Sequence, residues 1–565
     1  MRYNAKILFT AGLTTAALLT NSCKEKFLER PPLGSIGENV LTNRTGVEGA
    51  LIQAYRTLRG QNVAGWYTSP TNWVWGSVRS EESYKGSEGP DQNQLNEIER
   101  YDVQANNGAV HDKWRAAYDG VGMANQTLRL MKNATDMDDA EKLQVEAQAR
   151  FLRGFHHFEA KRVFNKVPFV PETAITNTDF RALSNEADIY PQIEEDLKFA
   201  FDNLPETQAQ IGRVNKWAAG AFLAKAKLYQ KKYAEAKTLF DEIIAKGVTS
   251  KGEKYGLLDK FSQVFRGENE NSKEVIFGVQ VTVGDGTGGA NSNTDLELPN
   301  PHNKGPVGCC GFFQPTQTLA NSYKTTAEGL PDPTPHVSPV TNQESNPSAF
   351  PYRGRLDPRI DWTMGRVGIT YLDWGLADAS WIRNTPNGGP FLPKKLNATK
   401  AEDGTYQISG GWGQGQSGRN ILVMRYADLL LMAAECEVEV GSLEKAREYV
   451  NMVRKRASNP EDFLKSAAGT PEAQYTIGEY TAPFADKAAA TAAVRNERLF
   501  ELALEGHRFF DLVRWGVAGE VLNAFIARES AIRTHLGGAT FNEPTDNYLP
   551  IPEYVISQSG GNIKQ

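Results

Sequence analysis

Apolar residues recur at three- and four-residue spacing in five segments of the first half of the chain. The segments are 47–60, 109–132, 138–164, 186–203 and 214–231. This spacing places apolar side chains on one face of a helix, so it predicts five helices. Pro168 and Pro171 follow the third segment and end it, because proline cannot continue a helix.

Two segments, 220–243 and 430–453, carry small or apolar residues at the spacing of a tetratricopeptide-like helix hairpin. A turn of suitable length, at 231–233 and at 441–442, divides each segment. Such hairpins pack helix against helix and cannot bury their apolar faces alone. Because the two segments are far apart in the chain, two unrelated helical hairpins remain the alternative.

Helical periodicity fades between residues 247 and 420, where Gly, Pro, Asn, Ser and Thr dominate after a strand-like run at 274–283. A structureless loop of this length is uncommon in a compact domain, so we predict a loop-rich lobe mounted on the helices, where a ligand site is commonly found. The fold class is mainly α. The predicted divisions are a signal peptide (1–22), an N-terminal helical region (23–246), the inserted loop-rich ligand lobe (247–420) and a C-terminal helical region (421–565).

The first residues are typical of an export signal. Arg2 and Lys6 precede an apolar stretch at 7–19, which is too short to span a membrane. Cys23 follows the small residue Ser22 and resembles the lipidated cysteine of a bacterial lipobox; a plain signal peptide with an incidental cysteine is the alternative. The next residues, 24–26, resemble the short charged signal that sends Bacteroidetes lipoproteins to the cell surface. We therefore expect a lipid anchor in the outer membrane and a chain that faces the exterior.

Charge and cysteine content exclude several classes of function. The chain has 62 Lys and Arg against 68 Asp and Glu, a net charge of −6, whereas nucleic-acid binders usually carry a basic excess. The four cysteines allow neither a disulfide scaffold nor a four-ligand zinc site. Cys309 and Cys310 are adjacent, and we interpret them as loop residues in a tight turn.

Seven of the ten tryptophans fall in Gly-, Pro-, Ser- or Asn-rich segments outside the helical patterns. Trp114, Trp217 and Trp515 lie inside helical patterns and are interpreted as packing residues. An indole face stacks well on the apolar face of a pyranose ring, so loop tryptophans are candidates for sugar contact. The alternative is that they anchor small cores of the loops themselves. We favour packing for any single one and ligand contact for at least two of the seven.

The predicted ligand-binding residues combine these aromatic side chains with nearby polar ones. They are Trp66, Trp73, Trp75, Tyr84, Asp91, Phe312, Phe313, Tyr371, Trp374, Trp381, Arg383 and Trp412. No cofactor, metal or catalytic residue is predicted.

Three patterns suggest other chemistry and are set aside. Residues 413–418 match G-x-G-x-x-G without the βαβ context of a dinucleotide site. Alternating oxygen-bearing residues at 291–297 lack the rest of a calcium loop. Carboxylates between 497 and 511 could suggest a glycosidase, but the arginines at the same helical spacing favour salt-bridged scaffolding.

A series of short motifs follows one another along nearly the whole mature chain. They stand at 26–32, 146–154, 213–219, 315–319, 356–359, 424–435, 495–498, 508–516 and 549–552. They include Leu356-Asp357-Pro358-Arg359 and Arg495-Asn496-Glu497-Arg498. In this order they resemble the SusD/RagB family of surface nutrient-binding lipoproteins from Bacteroidetes.

The resemblance implies an α-helical scaffold with tetratricopeptide-like hairpins and a loop-rich ligand lobe. It also implies a partner, a SusC-type TonB-dependent outer-membrane transporter whose mouth this protein would cover, and an oligosaccharide ligand without catalysis. Some members bind peptides, so the same lid with a peptide ligand is the second hypothesis. A surface glycoside hydrolase is the third.

Overall fold

The computed structural model describes residues 38–60, 65–303, 305–337, 339–340, 351–410 and 415–565. None of the helices in these ranges combines the length and the apolar composition that a membrane span requires. The predicted signal peptide, the lipidation candidate Cys23 and the ligand candidate Trp412 lie outside the described residues.

Helices dominate both ends of the chain. In the N-terminal part they are α1 (Glu38–Leu41), α2 (Arg44–Arg56), α3 (Gln94–Arg100), α4 (Gly108–Asn133), α5 (Asp139–Phe164), α6 (Asn177–Ala182), α7 (Tyr190–Asn203), α8 (Lys216–Tyr229) and α9 (Tyr233–Lys246). The lobe adds α10 (Gln317–Ser322), α11 (Ile360–Thr363) and α12 (Thr385–Gly388). The C-terminal part has α13 (Tyr426–Val440), α14 (Leu443–Ala457), α15 (Lys487–Leu502), α16 (Arg508–Trp515), α17 (Ala518–Glu529) and α18 (Glu553–Gln558).

The strands are short and form two-stranded pairs only, within the described residues. They are β1 (Ser83–Gly86), β2 (Val275–Val279), β3 (Phe312–Pro315), β4 (Arg355–Leu356), β5 (Met364–Arg366), β6 (Phe391–Pro393), β7 (Gln407–Ile408), β8 (Gln416–Ser417), β9 (Ile421–Arg425) and β10 (Gln474–Tyr475). The pairs β1–β3, β2–β9, β5–β6 and β7–β8 are antiparallel, and β4–β10 is parallel. The mainly α fold class is confirmed.

The five helices predicted from periodicity are confirmed as α2, α4, α5, α7 and α8. The end of the first predicted helix is a 3-10 turn, Thr57–Arg59, and α7 begins at Tyr190 rather than at residue 186. Helix α5 begins where expected because Asp138 and Glu141 form a capping box with each other's backbone N–H groups.

The two tetratricopeptide-like hairpins are neighbours in space. Helices α8 and α9 form the first hairpin, α13 and α14 form the second, and α9 packs directly on α13. The N-terminal helices continue the array, with α2 on α4, α4 on α5, α5 on α7 and α7 on α8. Each hairpin therefore covers an apolar face that the other exposes, as repeat units do.

A buried ionic network joins the lobe to the C-terminal helices. Glu501 in α15 is fully buried and accepts hydrogen bonds from Arg425 Nη1 (2.6 Å), from Arg359 Nη1 (3.0 Å) and from Arg456. Arg359 also binds Glu497 Oε1 (2.6 Å). Burial alone would raise the pKa of Glu501, but the three arginines hold that pKa well below its usual value.

The same network continues to residues 395 and 505. Lys395 Nζ lies 2.6 Å from Glu505 Oε1 and donates to the backbone carbonyls of Glu501 and Ala503. Arg425 binds both carboxylate oxygens of Glu505 at 2.7 Å. The interpretation of these carboxylates as salt-bridged scaffolding, rather than as a glycosidase pair, agrees with this geometry.

Glu501→Gln should lower the free energy of unfolding by about 3–5 kcal/mol, because it leaves buried guanidinium groups without a full countercharge. Urea unfolding of the variant and the parent measures this. Glu448→Gln is the matched control, since Glu448 pairs with Lys445 on an exposed helix face. Equal, small effects of the two substitutions would contradict the role given to the network.

His157 in α5 makes stability depend on pH. Its Nε2 accepts a hydrogen bond from Val170 N (3.1 Å), so Nδ1 carries the proton and donates to Arg153 O (3.1 Å). Burial, followed by the charge of Arg153, lowers the pKa of His157 to about 3. The unfolded chain protonates this histidine near pH 6.5, and the folded protein does not.

Folding stability should therefore fall as the pH drops from about 6.5 toward 3, because the unfolded state binds the extra proton. At pH 5.5 His157 accounts for a loss of about 1.3 kcal/mol relative to pH 7. His157→Gln should flatten the curve of unfolding free energy against pH by this amount. An unchanged slope between pH 7 and 5 would show that His157 does not carry the dependence.

Candidate ligand-binding rim

Three segments that are distant in the chain meet at one edge of the lobe. They are the end of β1 with residues 87–91, residues 297–303 and 305–311 before β3, and residues 378–389 around α12. Ser87 N donates to Gly311 O (2.5 Å), Gly311 N donates to Asn300 O (2.9 Å) and His302 N donates to Trp381 O (2.7 Å). We call the surface formed by Glu88, Asp91, His302, Trp381 and Arg383 the rim.

Arg383 is the centre of the rim. Its Nη1 donates to Asp91 Oδ2 (2.7 Å) and to Ser87 Oγ (3.0 Å), and its Nε lies 3.2 Å from Glu88 Oε1. The side chains of Arg383 and Asp91 remain 26% and 28% exposed, so solutes can reach them. The structure therefore brings together two predicted site residues that lie 292 residues apart in the chain.

His302 lies beside Arg383 because residue 311 is glycine. A Cβ atom at Gly311 would stand 3.0 Å from Arg383 Cβ and 3.3 Å from His302 Cβ, and its φ of +85° favours glycine. Burial and the charge of Arg383 lower the pKa of His302, so the imidazole is neutral near pH 7. Its Nδ1 has no hydrogen-bond partner among the residues that the structure describes.

Lys85 holds the loop that carries the two carboxylates. Its Nζ donates to the carbonyls of Glu88 (2.9 Å), Gly89 (3.3 Å) and Asp91 (2.7 Å). Burial lowers the pKa of Lys85 to about 8, partly offset by Glu99 and Asp91. A single buried amine thus fixes the backbone under the rim.

Trp381 forms the apolar side of the rim. It is 9% exposed and packs edge-to-face against Tyr371, with ring centroids 5.6 Å apart. With Tyr371, Ala377 and Leu392 it forms a small separate core of the lobe. The loops therefore do pack their own core, and only a small part of Trp381 remains accessible.

Six of the predicted ligand-binding residues are core residues, each 2% exposed or less: Trp73, Trp75, Tyr84, Phe312, Phe313 and Tyr371. The prediction that they face a ligand is corrected, because all six are buried, and the polar atoms of the two tryptophans and two tyrosines are bonded inside the protein. The indole N–H groups of Trp73 and Trp75 donate to the carbonyls of Trp66 and Tyr67. The hydroxyls of Tyr84 and Tyr371 donate to Glu529 and to the Pro393 carbonyl.

Trp66 and Trp374 are half-buried and lie outside the rim as defined. Trp66 Nε1 donates to Glu297 Oε2 (2.9 Å), and Trp374 Nε1 donates to the Ala398 carbonyl (3.1 Å). Both indoles are thereby fixed in orientation. They remain candidates for ligand contact, together with Asp91, Trp381 and Arg383.

The oxygen-bearing residues at 291–297 form hydrogen bonds within the protein. Asp295 accepts hydrogen bonds from Ser69 and Thr71, and Glu297 accepts from Trp66. Over the described part of the chain no group of three or more His, Cys, Asp or Glu side chains is placed to hold a metal ion.

Glu88, His302 and Lys85 were not predicted from the sequence, and Cys309 and Cys310 were interpreted only as loop residues in a tight turn. The structure joins the two cysteines as a disulfide, directly before Gly311. Glu88 lies close to Asp91 in the chain, which was a usable signal. No signal in the sequence indicated His302, because it lies beside Arg383 only once its loop is folded.

The rim offers carboxylates, a guanidinium and a neutral imidazole beside the largely buried Trp381. These groups donate and accept hydrogen bonds at half-exposed positions, which suits a ligand rich in hydroxyl or amide groups. A side chain at position 311 should disturb this arrangement, because Gly311 lies close to Arg383 and His302.

Gly311→Ala should destabilise the protein more than Gly284→Ala does. Both glycines have a positive φ, so both alanines pay about 1 kcal/mol of backbone strain, but a Cβ at Gly284 meets nothing within 4 Å. Thermal unfolding of the two variants isolates the clash with Arg383 and His302. Equal destabilisation would mean that the rim accommodates a side chain at this point.

Comparisons with known proteins give the context of this site. Residues 273–565 match a family model described as the SusD family. Residues 62–228 match a second family model described as starch-binding and associating with the outer membrane.

Similar proteins extend over nearly the whole chain. The SusD-like protein P25 of Formosa agariphila is 24% identical over 554 residues, which cover 94% of this chain and 93% of that protein. A SusD-like protein of Bacteroides ovatus is 25% identical, with 98% and 93% covered. The starch-binding protein SusD of Bacteroides thetaiotaomicron is 28% identical over 149 residues, a quarter of each chain.

Solved structures share the fold. A laminarin-binding SusD-like protein has a TM-score of 0.66 at 22% identity, with 93% of this chain and 99% of that chain covered. Surface glycan-binding protein A of Bacteroides thetaiotaomicron, in complex with laminarihexaose, has a TM-score of 0.68 at 19% identity, with the same coverage.

Proposed function

The chain belongs to the SusD family, and from this premise we propose that it captures oligosaccharides at the cell surface and delivers them to a SusC-type TonB-dependent transporter. In this proposal Cys23 carries the lipid that anchors the chain in the outer membrane. The rim is the capture site, and the protein is a binding component without catalysis.

The pairing of Arg383 and Asp91 beside Trp381 is the observation that carries the proposal. Neighbouring hydroxyls of a sugar present a donor and an acceptor close together, and this pair presents the complementary acceptor and donor. The small accessible part of Trp381 would supply apolar contact next to the pair. Relatives whose names state laminarin or starch binding support a carbohydrate as the ligand class.

A peptide is the second candidate ligand, since its amide groups satisfy the same donors and acceptors. A glycoside hydrolase is supported less well, because Glu497, Glu501 and Glu505 are all engaged with arginines or lysine in the buried network. At the rim, the two carboxylates share the cation Arg383, and Asp91 also accepts a hydrogen bond from Ser87 Oγ (2.8 Å).

Isothermal titration against a panel of oligosaccharides should find at least one that binds, and Arg383→Ala should weaken that binding about tenfold through loss of a charge-assisted contact. Arg447→Ala is the control, because Arg447 also pairs with a carboxylate, Glu444, but lies on the distant helix α14. Co-purification of the lipidated chain with a transporter from outer membranes tests the partner.

If no oligosaccharide of the panel binds and a peptide does, the peptide replaces the oligosaccharide as the proposed ligand. Cleavage of any glycan during long incubation would favour a hydrolase. Equal losses in the Arg383 and Arg447 variants would remove the rim from the proposal.

A further inference from the structure

We infer that the disulfide between Cys309 and Cys310 is a reducible positioning element of the rim, which a dithiol reductant at the cell surface would open. The inference rests on the proposed function for its ligand-binding consequence, but its structural part stands apart from any ligand. It assigns a role to two residues that the capture mechanism does not use.

The two cysteines occupy the turn that connects the rim to the core. They are flanked by Gly308 and Gly311, which both have a positive φ, at +86° and +85°. Cys310 is buried at 3% exposure, whereas Cys309 is half-buried and reachable from solvent. An external thiol can therefore attack on the Cys309 side.

The residue after the bonded pair holds two of the three segments of the rim. Gly311 receives a hydrogen bond from Ser87 N and gives one to Asn300 O. It also lies against the Cβ atoms of Arg383 and His302. A change in the path of the turn at 308–311 is therefore transmitted to the partners of Arg383.

The disulfide limits the backbone conformations of a turn whose two flanking residues are both glycine. Glycine on both sides adds no Cβ barrier to rotation, so the covalent bond is what limits the backbone between them. Opening it releases conformational freedom at the point where the rim is attached.

The step balances without any further reactant. A dithiol reductant transfers two electrons and two protons, so Cys309 and Cys310 become thiols and the reductant closes its own disulfide. Re-oxidation by an exported oxidised dithiol reverses the step. Cys436 takes no part, since it is a buried free thiol in α13.

Peptide mass spectrometry and hydrogen exchange on the full chain test the inference. Trypsin releases residues 305–324 as one peptide, which should be lighter by two hydrogen atoms before dithiol treatment than after it. In the ligand-free protein, dithiol should speed exchange of the amides of Ser87, Gly311 and His302 about tenfold, with no change in α14.

Cys309→Ser with Cys310→Ser should show the faster exchange with or without dithiol. If an oligosaccharide that binds is found, reduction of the parent protein should weaken its affinity about fivefold, and the double variant should bind equally weakly in both conditions. Cys436→Ser should behave as the parent does.

Two results would overturn the inference. One is a 305–324 peptide that already contains free thiols in untreated protein, and the other is unchanged exchange after reduction. If no oligosaccharide binds at all, the proposed function fails, and the exchange experiment still decides the role of the disulfide.

Discussion

Buried pairing between carboxylates and guanidinium groups around Glu501 is the constraint on which the arrangement of this protein depends. Arg359 comes from the lobe, Arg425 from strand β9 and Arg456 from helix α14, and all three meet one carboxylate on α15. Desolvation offsets much of the Coulomb attraction in such a cluster. Its main effect is therefore to select the one arrangement in which no buried charge lacks a partner.

The local sequence was sufficient to predict the helices of the scaffold. Three signals act over only one or two helical turns: the 3.6-residue periodicity, the capping residues around Asp138 and the prolines after α5. They can therefore be recognised without knowledge of the fold. The hairpins α8–α9 and α13–α14 were also readable one at a time. The packing of one hairpin against the other could not be predicted, because periodicity identifies an apolar face but not the element that covers it.

The site was predicted less well, for two physical reasons. Glycine- and proline-rich surroundings indicate irregular backbone but not exposure, and irregular backbone leaves carbonyls free to accept indole N–H groups. Trp73 and Trp75 use such carbonyls and are buried. The pairing of Asp91 with Arg383 joins positions 292 residues apart, and no local pattern records a contact of that range.

The antiparallel pairing of β2 with β9 closes the lobe at its base, since the chain leaves through one strand and returns through the other. For a closed loop, the entropy of closure grows only with the logarithm of length, so doubling the segment between the strands costs about 0.6 kcal/mol. Changes of length in exposed turns of the lobe, such as 284–288, therefore cost little, whereas Arg359 and Lys395 must keep their places in the network around Glu501. New ligand surfaces can be built in these exposed turns on one inherited frame, while the lobe residues that enter the network stay in place.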